Sequence, residues 1–237
     1  IAYNQDVLFP SASLVKIPIM AACFQAETEG KINFLNYYRL KGKYKAKGSG
    51  VLKNLRSGGK ITIQELIELM ITKSDNTATH MLTEILGFDY LNRCFLQFGL
   101  HNTNLLRHVM DLRKYRRGIE NYTTAFDIAT LLEKIYFRTL VSQSASEKML
   151  SLLEKQEIRD RLPRYLPSNI IVAHKTGLFD TVCHDVGIIF HPQGNFLICV
   201  LVSDHAEHNF AKELIGQIAK LCFDFYEKWE EKNGEHS

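Results

Sequence analysis

The sequence lacks any apolar run of the roughly 20 residues that a membrane-spanning helix requires. Its five cysteines are odd in number and widely spaced, which argues against a disulfide framework and against a zinc motif. The net charge is only +3, from 29 basic and 26 acidic residues, so the charge balance does not indicate a nucleic-acid partner. Together these observations favour a globular protein, with no membrane-spanning segment predicted in this chain.

The composition is ordinary for such a protein, with 46% hydrophobic and 23% charged residues. A chain of 237 residues is long enough for one large domain or two lobes. Basic residues concentrate at 41–47 and 113–117, and we interpret both clusters as solvated faces. Cys23, Cys199 and Cys222 lie in apolar runs, which predicts buried thiols.

Hydrophobic periodicity predicts a helical middle of the chain. Residues 1–9 indicate a strand, and helical patterns then recur up to about residue 156. One helix begins at Thr62, with Glu65 at the capping-box position. Residues 31–50 indicate a loop or small hairpin, and 101–122 a long, partly irregular loop.

From Ile170 onwards, the sequence pattern changes from that of helices to that of strands. Three strand patterns follow (IIVAHKTG, TVCHDVGIIF and NFLICVLVSD), and then a long amphipathic helix. The predicted fold class is therefore α+β in two lobes: an all-α lobe at 11–166, and an antiparallel sheet flanked by helices at 1–10 and 167–237. Because the chain begins without methionine in a strand pattern, we expect an upstream strand and helix, and any export signal, to lie outside it.

A serine and a lysine stand at the start of the first long helical pattern, PSASLVKIPIMAACFQ. Ser13 and Lys16 lie about one turn apart, so the Lys16 amine is expected to reach the Ser13 hydroxyl and take its proton. The apolar neighbours would bury Lys16, and because lysine is almost never fully buried unless it is paired, this burial indicates a functional role. The simpler alternative is a helix N-terminus capped by Ser11 or Ser13.

Two further motifs follow in order: Ser74-Asp75-Asn76 and Lys175-Thr176-Gly177. Each alone is weak, since the first could be a turn or helix cap and the second the end of a strand. With Ser13-x-x-Lys16 they form the set typical of class A β-lactamases and penicillin-binding proteins. The chain resembles this serine-reactive superfamily, and class A most closely, over nearly its whole length. The resemblance implies a two-lobed β-lactamase/transpeptidase-like fold with the site between the lobes.

The resemblance also implies roles for individual residues. Ser13 would be the nucleophile that forms an acyl-enzyme, Lys16 its base, and Ser74 the proton relay to the leaving nitrogen. The remaining motif residues would bind substrate. Asn76 would hold Lys16 and the substrate amide, and Lys175 and Thr176 would bind the substrate carboxylate. Gly177 would allow the substrate to approach the strand closely, and the backbone N–H groups of Ser13 and Leu178 would form the oxyanion hole. No metal or cofactor is implied, because the chemistry is covalent.

One part of the class A machinery is not matched. Class A enzymes carry a glutamate that activates the water for deacylation, and counting back from Tyr122 its position falls on Val109. Asp111 is the candidate substitute, although a structural loop carboxylate is the simpler interpretation. Glu120 is a second candidate, for which we favour a helix-dipole role. The asparagine that follows in class A would fall near Arg113.

The strand after Lys-Thr-Gly also departs from class A, which often has an arginine there. His184 and Asp185 occupy this strand and invite comparison with a catalytic triad. A hydrogen bond within the site or hairpin is the favoured interpretation, and His174 is expected to pack within its strand.

The predicted function is a serine β-lactamase-like hydrolase that acylates readily and deacylates slowly. The alternatives are a D-Ala-D-Ala peptidase or esterase on the same scaffold, and a β-lactam sensor that retains the acyl group. The expected partner is a small β-lactam or peptidoglycan peptide, and the expected state a monomer. The resemblance implies a bacterial periplasmic or secreted protein, which free cysteines fit poorly.

Overall fold

The computed structural model describes residues 1–204 and 207–233; the other residues assigned above to the sheet lobe lie outside the described residues. The helices are α1 Lys16–Thr28, α2 Ile63–Thr72, α3 Asn76–Leu86, α4 Phe88–Gln97, α5 Leu112–Tyr115, α6 Ala125–Tyr136, α7 Gln143–Glu154 and α8 His208–Asn233. The strands are β1 Phe9–Pro10, β2 Tyr37–Arg39, β3 Lys60–Thr62, β4 Tyr122–Thr123, β5 Val172–Phe179, β6 Val182–Ile189 and β7 Phe196–Val202. This mixture of helices and antiparallel strands confirms the predicted α+β class.

Helix α1 lies at the centre of the helical part. It is apolar on every side and buried throughout except at Gln25, Glu27 and Thr28, because α2, α3, α4 and α7 pack around it. A short 3-10 helix, Ala12–Val15, leads directly into it. The result is that Lys16 enters the core with its helix.

The ends of α2 and α3 are set by side-chain caps. Thr62 Oγ1 accepts the Glu65 N–H at 3.1 Å, while Glu65 Oε2 accepts the Thr62 N–H at 2.7 Å, which confirms the predicted capping box. Asp75 caps α3 by accepting the Ala78 N–H at 2.9 Å. The Ser-Asp-Asn motif thereby stands at the junction of α2 and α3.

The main sheet has the order β5-β6-β7, with β5 at one edge. Helix α8 covers one face through Ala211, Ile215, Ala219 and Phe223, and the opposite face joins the helical core. The 3-10 helix Ala12–Val15 packs against β5. The segment with Ser13 is therefore brought beside the strand with Lys175.

Two sequence-based expectations about strands hold only in part. Residues 1–8 form no strand: Asn4 has a left-handed φ of 51°, and the chain turns there as Val7 N–H donates to the Asn4 carbonyl. The only strand in this part, β1, pairs with β4. Strand β2 likewise pairs with the distant β3 and forms no local hairpin within 31–50.

Two other expectations concerned the burial of the cysteine thiols and the lack of a membrane-spanning helix. All five cysteines are free; Cys23, Cys94 and Cys183 are buried, while Cys199 and Cys222 are half-buried, less than predicted. Within the described part of the chain, none of the helices combines the length and apolar character needed to cross a bilayer. The division into two lobes stays a prediction.

Candidate active site

Ser13 lies in the 3-10 helix at the entry to α1, half-buried between the buried Ser11 and Leu14. The preceding Ala12 has a φ of 45°, a left-handed conformation that is unfavourable for a residue with a Cβ. Such strain is concentrated at functional sites. Among the described residues no hydrogen bond is formed by the Ser13 hydroxyl, so it is available to a ligand.

Lys16 is completely buried and donates three hydrogen bonds. Its Nζ lies 2.7 Å from the Ser74 carbonyl oxygen, 3.0 Å from Ser74 Oγ and 2.7 Å from Asn76 Oδ1. Burial lowers the pKa of Lys16 well below its usual range; the positive charge of Lys175 adds to the shift, and the Asp75 carboxylate opposes it. Sequence reasoning expected a direct contact with Ser13, but these three acceptors use all three N–H groups of an ammonium.

Ser74 connects the two lysines of the site. Its Oγ accepts from Lys16 Nζ and from Lys175 Nζ, both at 3.0 Å, and its own hydrogen remains free to be donated. Lys175 also donates to the Thr176 carbonyl oxygen at 2.9 Å, which leaves one of its N–H groups for another partner. Burial lowers the pKa of Lys175 to about 7; the Asp185 carboxylate opposes this shift and the Arg161 guanidinium adds to it.

Asn76 is fixed in one orientation by partners on both sides of its amide. Its Oδ1 accepts from Lys16, and its Nδ2 donates to the Lys47 carbonyl oxygen at 2.8 Å. Gly48, with a φ of 84°, lies so close that a Cβ there would be 2.7 Å from Asn76 Nδ2. The segment after Lys47 is therefore part of the wall around the motif.

Asp75, which sequence reasoning gave no role, attaches this same segment to α3. Its Oδ2 accepts the N–H groups of Val51 and Leu52 at 2.6 and 2.9 Å. A Cβ on Gly50 would lie 2.2 Å from the Asp75 carboxyl carbon. The Gly-Ser-Gly sequence at 48–50 was the available signal, because closely spaced glycines mark close backbone approach.

The Lys-Thr-Gly motif lies on the edge strand β5. Thr176 is buried opposite Asp185, and Gly177 lies opposite His184. A Cβ on Gly177 would lie 3.3 Å from Leu14 Cγ and 3.2 Å from His184 Cδ2, so this glycine lets the strand approach the residue after Ser13. Leu178 is 40% exposed at the open end of the strand.

His184 and Asp185 each form hydrogen bonds with other residues, in line with the favoured interpretation of a bond within the site or hairpin. Neighbouring residues of a strand point to opposite faces, and Asp185 instead binds its diagonal neighbour on β5, His174, at 2.9 Å from Nδ1. Asp185 also accepts the Leu162 N–H. His184 Nε2 lies 2.9 Å from the Pro10 carbonyl oxygen. No triad arises, and His174 forms a hydrogen bond with Asp185 in addition to packing within its strand.

The loop between α4 and β4 is closed by a buried ion pair that sequence reasoning missed. Arg107 Nε and Nη2 donate to the two Glu120 oxygens at 2.9 and 2.8 Å. Glu120 is thus the partner of an arginine, and the expectation of a helix-dipole role was wrong. The Asn121 side chain ties the loop ends together through Leu106 and Arg107. A buried carboxylate in a loop signals such a partner, but the sequence does not say which arginine.

Val109 and Asp111 both lie in this loop. Val109 is half-buried against the helical core. Asp111 Oδ1 caps α5 by accepting the N–H groups of Arg113 and Lys114, both at 3.1 Å. Partial burial disfavours its charge, but these hydrogen bonds outweigh it and the pKa of Asp111 is lowered. A carboxylate with a low pKa is a poor base, and a structural role in the loop accounts for what is seen.

The same loop reaches the open end of β5. The Tyr115 ring packs edge-on against Phe179 with centroids 5.0 Å apart, and the Tyr115 hydroxyl hydrogen-bonds Asp180. The Arg107 guanidinium lies 5.4 Å from both ring centroids. Val109 is therefore carried by a loop that borders the strand of Lys175 to Leu178.

Comparisons with known proteins agree with this geometry. A family model described as the beta-lactamase enzyme family matches residues 1–226. A solved β-lactamase of Sphaerobacter thermophilus is 32% identical, with a TM-score of 0.89, over 95% of this chain and 86% of that one. A variant of PBP-A, solved as an acyl-enzyme with penicillin G, is 30% identical, with a TM-score of 0.87, over 96% and 85%. The extended-spectrum β-lactamase PER-1 of Pseudomonas aeruginosa is 28% identical over 70% of this chain, which spans 57% of PER-1.

Proposed function

Because the chain belongs to the beta-lactamase enzyme family, we propose that it is a serine hydrolase that takes the acyl group of a penicillin-type β-lactam on Ser13 and releases it slowly. The observation that supports this proposal most directly is that Ser74 Oγ accepts hydrogen bonds from both Lys16 and Lys175. A proton that Lys16 takes from Ser13 would have a path through Ser74 to a leaving nitrogen. The proposal is supported by the likeness to PBP-A, whose variant was trapped with penicillin G.

Acylation would proceed by attack of Ser13 Oγ on the lactam carbonyl carbon. Lys16 in its neutral form takes the Ser13 proton, and the burial that lowers the pKa of Lys16 favours that form. The carbon–nitrogen bond then breaks. The nitrogen takes the Ser74 hydroxyl proton, and Lys16, now an ammonium 3.0 Å away, returns a proton to Ser74 Oγ. The product is an ester on Ser13 and a free amine, with Lys16 neutral again.

The remaining motif residues would bind and polarise the substrate. The free N–H of Lys175 and the Thr176 hydroxyl are suited to a carboxylate. The backbone N–H groups of Ser13 and Leu178 would stabilise the oxyanion, each by about 3 kcal/mol. Asn76 would face the substrate amide, although its Nδ2 already donates to the Lys47 carbonyl oxygen.

Slow release follows from the loop between α4 and β4. Val109 cannot activate water, Glu120 has both oxygens engaged by Arg107, and Asp111 caps α5. A general base contributes roughly 10²–10⁴-fold to such a step. Its absence would leave the ester on Ser13 long-lived. Asp111 as the deacylation base is retained only as the alternative to this proposal.

The second candidate is a peptidase or esterase, which acylates from a D-Ala-D-Ala peptide. The apolar environment of Val109 favours it, because a site without a lactam-releasing base can still turn over substrates whose acyl group leaves more easily. A sensor that only retains the acyl group is the third candidate. We further propose that the protein is a monomer that acts in the periplasm or outside the bacterial cell.

Intact-mass measurement after incubation with penicillin G tests the proposal. A mass increase equal to the whole penicillin, persisting for minutes or longer and absent in Ser13→Ala, is expected. Fast hydrolysis without a lasting adduct would show that a deacylating base is present. No adduct and no hydrolysis, with turnover of a D-Ala-D-Ala peptide or thioester, would favour the peptidase; no reaction with either would refute the function.

A further inference from the structure

Three side chains with metal-ligating atoms meet beside the loop between α4 and β4. His80 and Glu84 lie one turn apart on α3, and His108 faces them from the loop. One ligand atom of each residue lies within 4.8 Å of the other two. His108 Nε2 is 2.9 Å from Glu84 Oε1, and the two imidazole centroids are 4.0 Å apart.

These distances suit a single ion with small rearrangement. Metal–nitrogen and metal–oxygen bonds of about 2.0–2.2 Å at tetrahedral angles place neighbouring ligand atoms roughly 3.3–3.5 Å apart. The distance of 2.9 Å between His108 Nε2 and Glu84 Oε1 is slightly shorter than this ideal. The ligand atoms of all three residues lie within 4.8 Å of one another, which is somewhat longer than the ideal. Glu84 is 39% exposed and can swing by this amount without disturbing the core.

The two histidines differ in the support that their second ring nitrogens receive. The second nitrogen of a metal-bound histidine usually donates to a carbonyl or carboxylate, which fixes the ring. Tyr44 lies beside His80, with the ring centroids 5.7 Å apart, and its backbone is near the imidazole. His108 Nδ1 is buried and has no hydrogen-bond partner among the described residues, so the protein alone does not account for the polar atoms of this ring.

We propose that His80, Glu84 and His108 form a binding site for a divalent transition-metal ion, for which Zn²⁺ is the best match. Two imidazoles and one carboxylate suit Zn²⁺, whereas Mg²⁺ and Ca²⁺ prefer oxygen ligands alone. The partial exposure of Glu84 and His108 leaves room for water as a fourth ligand. Three protein ligands with an open position distinguish the site from a closed structural zinc site.

The charges around the cluster are mixed. Glu84 and Asp111 contribute negative charge near His80, whereas Lys43 and Lys114 act in the opposite sense. The opposing lysines are expected to make binding weaker than at structural zinc sites.

The position of the site gives metal binding a defined consequence. Helix α3 begins at Asn76, which holds Lys16, and His108 directly precedes Val109. An ion bound by His80, Glu84 and His108 would tether the loop to α3 and resist its opening. The inference stands on these three residues and does not depend on the proposed acylation of Ser13.

The test is Zn²⁺ binding by the full chain after treatment with a chelator and its removal. We expect one Zn²⁺ per chain by competition with a chromophoric chelator, and a higher melting temperature in Zn²⁺. Glu84→Gln and His108→Asn should each weaken binding at least tenfold and abolish the thermal shift. The matched control, His101→Asn at an exposed position of the same loop, should change neither.

Co²⁺ provides a second measurement that does not depend on the stability of a variant. Bound to the wild-type chain it should give the intense visible absorption of a four-coordinate site, lost in His108→Asn. Equal Zn²⁺ affinity in wild type and in both ligand variants would overturn the site, as would the absence of saturable one-to-one Zn²⁺ binding by the wild-type chain.

Discussion

Lys175 Nζ lies 3.0 Å from Ser74 Oγ, although 101 residues separate the two in the chain. This hydrogen bond joins the edge strand β5 to the turn before α3, and it places a second buried cation beside Lys16. Two buried ammonium groups around one hydroxyl oppose each other and are poorly solvated. Folding therefore favours loss of a proton from the site, which acylation requires and which can be measured as a pH dependence of stability.

The first prediction concerns that pH dependence. Between the folded pKa of Lys175, about 7, and the unfolded value of about 10.4, the unfolded chain binds a proton that the folded chain does not. The free energy of unfolding therefore rises with pH in this window, by up to about 1.4 kcal/mol per pH unit for one group. Lys175→Met removes the proton and should be more stable than wild type at pH 7, with the difference shrinking towards pH 9.5.

Urea unfolding of both proteins at half-unit pH intervals provides the measurement. The cysteine thiols, whose pKa values burial raises, titrate in both proteins and cancel in the difference. Lys148→Met, at an exposed position of α7, is the matched control and should leave the difference from wild type flat. A pH-independent difference for Lys175→Met would show that Lys175 keeps its proton throughout.

The second prediction concerns the ion pair of Arg107 and Glu120, whose side chains are 5% and 8% exposed. Arg107→Met leaves a buried carboxylate without its partner and should lower the free energy of unfolding by about 3–5 kcal/mol. Replacing both residues, Arg107→Met with Glu120→Leu, should recover most of this loss. The exposed pair of Arg138 and Glu147 is the control, since Arg138→Met should cost no more than about 1 kcal/mol. Equal losses in the two arginine variants would contradict the assignment.

The third prediction concerns Gly177. A Cβ at this position would crowd His184 and Leu14, so Gly177→Ala should displace the segment of Ser13 and slow acylation at least tenfold. Overpacking should cost about 1–3 kcal/mol of stability. Gly59→Ala is the control, because its Cβ would meet only the Arg56 carbonyl oxygen at 3.9 Å. Unchanged acylation by Gly177→Ala, followed by mass spectrometry with penicillin G, would argue against close packing there.

Much of the fold could be predicted because its signals are local. The capping box of Thr62, the helix that ends before Gly87 and the three strands after Ile170 all depend on residues close in sequence. The three motifs carried the candidate site for the same reason, since each is a short run whose order identifies a family. Helix α1 was recognisable by its apolar residues, although burial on every side weakens its periodicity.

Only some partners across the chain could be predicted. The resemblance implied that Asn76 holds Lys16, and the structure has this hydrogen bond, but Lys16 was expected to contact Ser13, one turn away, and donates instead to Ser74. For His184 and Asp185 the favoured interpretation was a hydrogen bond within the site or hairpin, without named partners. The register of β5 and β6 brings His174 to Asp185. Such contacts follow from register and packing, which the spacing of residues along one segment does not contain.

The last prediction concerns Val109, the position where the class A resemblance places the deacylating glutamate. Val109 is half-buried against apolar core residues, an environment that raises the pKa of a carboxyl group towards the range of a useful general base. Val109→Glu should therefore shorten the lifetime of the penicillin adduct on Ser13 by roughly 10²–10⁴-fold, the usual contribution of general-base catalysis. Stopped-flow hydrolysis together with intact-mass measurement gives the two rates separately.

Val109→Gln is the matched control, because it has nearly the same shape and hydrogen-bonding reach but cannot take a proton from water. If only the glutamate variant loses its adduct quickly, the slow step is limited by the missing base. If both variants release the acyl group, the substitution acts by loosening the loop that Arg107 and Glu120 close, and water access limits release. If neither does, the loop holds position 109 away from the ester, and the register taken from the resemblance is wrong.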